Sequence, residues 1–200
     1  MPPASAPERA PRRVALYGGS FNPPHHGHVL IATWALASGR FDEVRLVPAF
    51  GHAFGKALAP FEARCRMVAA ACAHLGERVV VDPIEGRLPA PSYTVDTVRA
   101  LLAEAATAAD DLALTLVMGT DSWIAREKWR EWPALLALLA GRVLVVGREG
   151  YPAPTDVDVP FTLPDVSSTA ARARLAAGAA DTTLVPPAVL AIALGEGLYP

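Results

Sequence analysis

Cysteine is scarce in this chain: Cys65 and Cys72 are the only two among 200 residues. Two thiols cannot staple a small fold with disulfides or build a four-thiolate metal site. They lie within one helical-looking stretch and read as small hydrophobes on a helix's buried side. Net charge is nearly absent as well, at −2, which argues against a mainly electrostatic nucleic-acid binder and leaves only a local basic patch open. No basic stripe interleaved with aromatics occurs. Long apolar runs are missing too. The longest, residues 29–37 and 134–140, fall far short of the ~20 residues a bilayer core demands. The opening MPPASAPERAPRR has arginines with no apolar segment behind them, so it does not read as a secretory signal. Its Pro, Ala and Arg content predicts a loose tail over residues 1–12, with an organelle transit peptide as the weaker alternative and the cytoplasm as the default compartment.

What is present is enough apolar material for a core, 52% hydrophobic against 19% charged. Strand-like and helix-like stretches alternate. Residues 14–17, 44–47, 79–81, 112–118 and 143–146 are short apolar runs. Residues 28–38, 61–74, 94–106 and 132–140 have helical composition, with Phe61, Cys65, Val68 and Cys72 near the spacing of one helix face. Apolar strands too continuous for a half-wet sheet, separated by helices, predict a single doubly wound, Rossmann-like α/β domain over residues 13–200. Its parallel sheet has helices on both faces. The proline-rich residues 151–164 read as an excursion from it, since too little follows for an independent core. Such sheets bind ligands beyond the carboxyl ends of their strands, so the informative residues are those that follow each strand.

After the first strand comes GGSFNPPHHGH, Gly18 to His28. Gly18 and Gly19 permit a tight turn and close approach to a ligand, because neither carries a Cβ. His25 and His28 fall at the start of a helix, three apart and therefore on one face. A helix N-terminus with two imidazoles and a glycine-rich approach suits phosphate oxygens. The alternative is a tight turn carrying surface histidines. Three of the chain's five histidines crowd this loop, which weighs against it. The loop is neither a Walker loop nor a GxGxxG fingerprint.

His25-His26-Gly27-His28 matches the HxGH signature, and on it the chain resembles the class I nucleotidyltransferases. More narrowly it resembles the bacterial nicotinate-nucleotide adenylyltransferases, which join the AMP part of ATP to nicotinate mononucleotide. Pro91-Ser92-Tyr93-Thr94 is similar to their PSYT segment and Gly119-Thr120-Asp121-Ser122 to their GxDS. Val166-Ser167-Ser168-Thr169-Ala170-Ala171-Arg172 is similar to their ISSTxIR, and the ending Gly197-Leu198-Tyr199 is also shared. These matches keep their order along nearly the whole chain after the tail.

The resemblance implies a nucleotidyltransferase-type fold and a set of site residues. His25, His28 and Arg172 would be catalytic, donating to phosphate oxygens during in-line adenylyl transfer. ATP would be bound by Gly18, Gly19, Ser20, Phe21, His25, His28, Gly119, Asp121, Ser167, Ser168, Thr169 and Arg172. Within this set Asp121 would meet a ribose hydroxyl, or cap its helix, and the Ser167–Thr169 hydroxyls would meet the outer phosphates. Asn22, Lys56, Tyr93, Thr94 and Trp129 would hold the pyridine nucleotide, with Trp129 stacking on the ring. A Trp between two helices can equally serve packing. Trp123 and Trp132 are assigned to packing and Trp34 to the face of the first helix.

Three departures from the family stand out. His52 and Lys56 are separated by three residues where relatives place His and Lys side by side. Asn22 replaces an Asp, and Arg130 follows Trp129 where some relatives carry a second aromatic. No His/Cys/carboxylate cluster has structural-zinc spacing, so the expected metal is Mg²⁺ arriving with ATP. The expected partners are ATP and nicotinate mononucleotide, with neither nucleic acid nor membrane, and homo-oligomerisation is left open. The alternatives are a sister enzyme using nicotinamide mononucleotide or phosphopantetheine, and a non-catalytic nucleotide sensor.

Overall fold

The computed structural model describes residues 10–51 and 58–200. The tail expectation therefore falls largely outside the described residues, as do His52 and Lys56. The strands are β1 (Arg12–Gly19), β2 (Glu43–Pro48), β3 (Val79–Val81), β4 (Leu112–Gly119), β5 (Val143–Arg148) and β6 (Thr162–Leu163). They form one sheet in the order β3-β2-β1-β4-β5-β6, every neighbouring pair parallel. That is the expected doubly wound α/β sheet, and its strand order reverses between β1 and β4, where such sheets open a crevice.

The helices are α1 (His26–Ala37), α2 (Phe61–Cys72), α3 (Thr94–Thr107), α4 (Thr120–Ile124), α5 (Trp132–Leu138), α6 (Ser168–Ala176) and α7 (Pro187–Gly195). Alternate strand residues feed opposite faces, as a two-residue side-chain period requires. Ala15 joins the core under α1, α2, α6 and α7, while Val14 and Leu16 join the core under α3 and α5. No helix among the described residues is long and apolar enough to cross a membrane.

Two sequence expectations need correction. Strand β1 starts before its apolar run, at Arg12, assigned above to the tail. Arg12 pairs in the ladder with Leu112, and its guanidinium holds Glu43 and Asp110. Polar partners, not hydrophobicity, extend the strand. Helix α2 buries Ala63, Arg64, Met67, Val68, Ala71 and Cys72, whereas Phe61 and Cys65 are only partly buried. The buried face is thus rotated from the one that apolar spacing predicts, because Arg64 finds enough acceptors inside to be taken in.

Candidate active site

The carboxyl end of β1 runs through Gly18 and Gly19 into a loop that ends at His25, the N-cap of α1. The backbone N–H of His25 donates to Nδ1 of His28 at 3.0 Å. With Nδ1 accepting, the neutral ring of His28 carries its proton on Nε2. The two imidazoles stack at 3.7 Å between centroids and 30° between planes. Phe21 meets the His28 ring edge-on with 4.8 Å between centroids, and Tyr17 flanks it at 5.9 Å. Gly27 leaves room for this arrangement: a Cβ there would crowd the His25 ring, at 3.0 Å from Cε1 and Nδ1.

Both imidazoles are held neutral. Burial lowers His25 to about 4, with the nearby Arg148 and the neighbouring His26 adding to the effect. Burial, then His25 and Arg148, lowers His28 well below the ordinary imidazole value. Nδ1 of His25 is buried without a hydrogen-bond partner, an arrangement proteins rarely leave unused.

The rear of the chain meets this loop. Ser167 caps α6 by accepting from Ala170 N–H at 3.2 Å. Ser168 Oγ donates to the carbonyl of Pro23 at 2.8 Å. Arg172 Nη1 donates to the carbonyl of Asn22 at 2.7 Å, and its Nη2 to Thr169 Oγ1 at 3.3 Å. The imidazole loop after β1 and the start of α6, 145 to 150 positions apart in sequence, are thus fastened together.

Asp121 follows β4 and is drawn to Arg148 at the end of β5, which donates to its Oδ2 at 3.1 Å. Its carboxylate folds back over Gly119, where a Cβ would lie 2.6 Å from Oδ1. The N-cap of α4 is Gly119, with no side-chain cap bond; Asp121 does not cap the helix. Tyr93 is the N-cap of α3, next to Thr94. The guanidinium of Arg130 lies 4.8 Å over the Tyr93 ring, so the departure at 130 is itself built into this wall. Trp129 is partly buried and meets Trp132 edge-on at 6.1 Å.

Asn22 is less open than a ligand-binding role suggests. It is 3% exposed, and its Oδ1 already accepts from Ala59 N–H and Tyr199 OH, both at 2.9 Å. Arg148 and Tyr199, which the sequence reading did not single out, touch the candidate residues Asp121 and Asn22. Arg148 was within reach, being the residue that closes β5, but Tyr199 has no local signal that it folds back onto the first loop.

Residues 16–174 match the cytidylyltransferase-like family model. A Myxococcus xanthus (strain DK1622) protein named "Probable nicotinate-nucleotide adenylyltransferase" is 40% identical, with 94% of each chain covered. One of the same name from Anaeromyxobacter sp. (strain K) is 44% identical, over 94% of this chain and 97% of its own. Among solved structures, Plasmodium falciparum nicotinic acid mononucleotide adenylyltransferase complexed with NaAD is similar, with a TM-score of 0.75. The match covers 94% of this chain and 97% of that one at 17% identity, a likeness of fold.

Proposed function

The chain belongs to the cytidylyltransferase-like family, and from that premise we propose that it transfers the AMP part of ATP to nicotinate mononucleotide, giving nicotinate adenine dinucleotide and pyrophosphate. It is a nucleotidyltransferase of NAD biosynthesis, and relatives 40% and 44% identical over nearly its whole length are named for that acceptor. The observation that carries the site assignment is the seam where Arg172 donates to the Asn22 carbonyl at 2.7 Å. It brings a guanidinium from the rear of the chain to the loop that carries both imidazoles, as binding a single triphosphate requires.

Adenylyl transfer is an in-line attack by the acceptor's phosphate on the α-phosphorus of ATP, with no covalent enzyme intermediate. Catalysis then rests on alignment and charge stabilisation. His28 offers Nε2–H to a phosphate oxygen as charge moves onto the leaving pyrophosphate, with His25 beside it. Two stacked neutral rings avoid mutual repulsion before ATP arrives. Arg172 and the start of α6 take the outer phosphates. Gly18, Gly19, Ser20 and Phe21 form the approach, and Asp121 with Gly119 takes the ribose.

Tyr93, Thr94 and Trp129 take the pyridine nucleotide, with Lys56 assigned to its phosphate. Asn22 serves this side as a joint that holds Ala59 and Tyr199. Among the described residues no group of three His, Cys, Asp or Glu side chains is placed to hold a metal ion. The Mg²⁺ we assign enters with ATP, ligated by phosphates and water, and supplies charge neutralisation. We place the enzyme in the cytoplasm.

The test is pyrophosphate release by purified protein with ATP, Mg²⁺ and nicotinate mononucleotide. Comparable or faster release with nicotinamide mononucleotide would change the acceptor. Release with phosphopantetheine alone would move the chain to a sister enzyme, and ATP binding without turnover would make it a sensor.

A further inference from the structure

Arg64 is 1% exposed, the largest fully buried side chain among the described residues. Among the described residues no carboxylate pairs with it directly. Each of its three nitrogens donates to a backbone carbonyl instead: Nη1 to Ser20 at 2.8 Å, Nη2 to Phe50 at 3.3 Å and Nε to Ala59 at 2.9 Å. These carbonyls belong to two separate segments. Ser20 is in the loop that carries the imidazoles, while Phe50 and Ala59 lie on the strand-β2 side of the acceptor region. The chain of bonds continues beyond Arg64. Phe50 N–H donates to Oε2 of Glu85 at 3.0 Å, and Ser92 Oγ donates to the same oxygen at 2.8 Å. Thr97 Oγ1 donates to Oε1 at 3.2 Å. Glu85 is itself 9% exposed. A continuous relay therefore runs from Ser20, through the buried Arg64, the backbone of the exposed Phe50 and the buried Glu85, to Ser92, beside the Tyr93–Thr94 helix start.

A guanidinium and a carboxylate are costly to bury. Apolar side chains could have filled the same space without that penalty. What apolar groups could not do is fix the separation of two loops by directed bonds. We propose that Arg64 and Glu85 are positioning residues for the transfer reaction, setting the distance between the triphosphate loop and the pyridine-binding segment. This rests on the proposed function, since only a two-substrate in-line reaction needs those loops held in register. A misalignment of about 1 Å between reacting groups lowers turnover by as much as ~100-fold without abolishing the binding of either substrate.

Arg64→Lys keeps the charge but cannot span three carbonyls. Its kcat, counted per ATP-binding site measured by calorimetric titration, should fall ~10- to 100-fold while the KM for ATP stays within about threefold of wild type. Glu85→Ala should behave alike. Glu85→Gln should recover most of the turnover. Its amide oxygen can accept from Phe50 N–H and Ser92 Oγ, and its NH₂ can donate to Thr97, whose hydroxyl is free to rotate. If Arg64→Lys does not fold, the Glu85 pair decides. Wild-type kcat per ATP-binding site in Arg64→Lys or in Glu85→Ala, with only the melting temperature lowered, overturns the inference. An equal loss in Glu85→Gln and Glu85→Ala overturns it as well. Absence of wild-type turnover with nicotinate mononucleotide would instead sink the functional reading.

Discussion

A single imidazole illustrates how burial and chemistry are linked here. His25 falls from about 6.5 unfolded to about 4 folded, so between those values the unfolded chain binds more protons than the native one. Stability therefore rises with pH across that window, is fully present above about pH 6.5, and is lost as pH falls toward 4. The shift corresponds to about 3 kcal/mol, and His28 acts in the same direction. Melting curves from pH 7 to pH 4 should show this loss, and His25→Asn should flatten it. An unchanged slope in that variant would place the acid sensitivity elsewhere. His28→Ala should cut pyrophosphate release by ~100- to 1,000-fold, the effect of removing a preorganised donor. For Trp129 the two uses separate by measurement. Trp129→Ala should raise the KM for nicotinate mononucleotide roughly tenfold if the ring stacks on the pyridine, whereas a drop in melting temperature alone would mean that its edge contact with Trp132 is its role.

Among the elements, α6 shows how a cap serves a site. Ser167 satisfies one N–H of the first turn, and Ser168 fastens that turn to Pro23. Ser167→Ala should cost about 1 kcal/mol, seen as a lower melting temperature. Ser168→Ala should instead weaken ATP binding, because it releases the helix from the first loop. Equal affinity for ATP in Ser168→Ala and wild type would refute that. The strands and the existence of most helices were legible because apolar runs and 3.6-residue spacing are local signals. The buried face of α2 was not. Its spacing favoured Phe61 and Cys65, and no local pattern announces that Arg64 has three carbonyls waiting for it. In the same way, HxGH and SSTxxR could be read as motifs, but the Glu85 bonds and the Tyr199 contact arise only from folding.

At the scale of the whole molecule, the loop that follows β1 is bonded to groups from the far end of the chain. ATP with Mg²⁺ at 100 times its dissociation constant should stabilise the fold by about 2.7 kcal/mol. Arg172→Ala should shrink the resulting rise in melting temperature at equal ATP concentration. An undiminished rise would remove Arg172 from the triphosphate. The bonds from Pro23 and Asn22 to Ser168, Arg172 and Tyr199 span 145 to 177 positions, the kind of distant pairing that slows folding. During synthesis, then, the histidines leave the ribosome long before their cationic counterpart exists. A nascent chain halted ahead of α6 should be inert toward ATP, and competence should arrive late and abruptly, once the final helices dock.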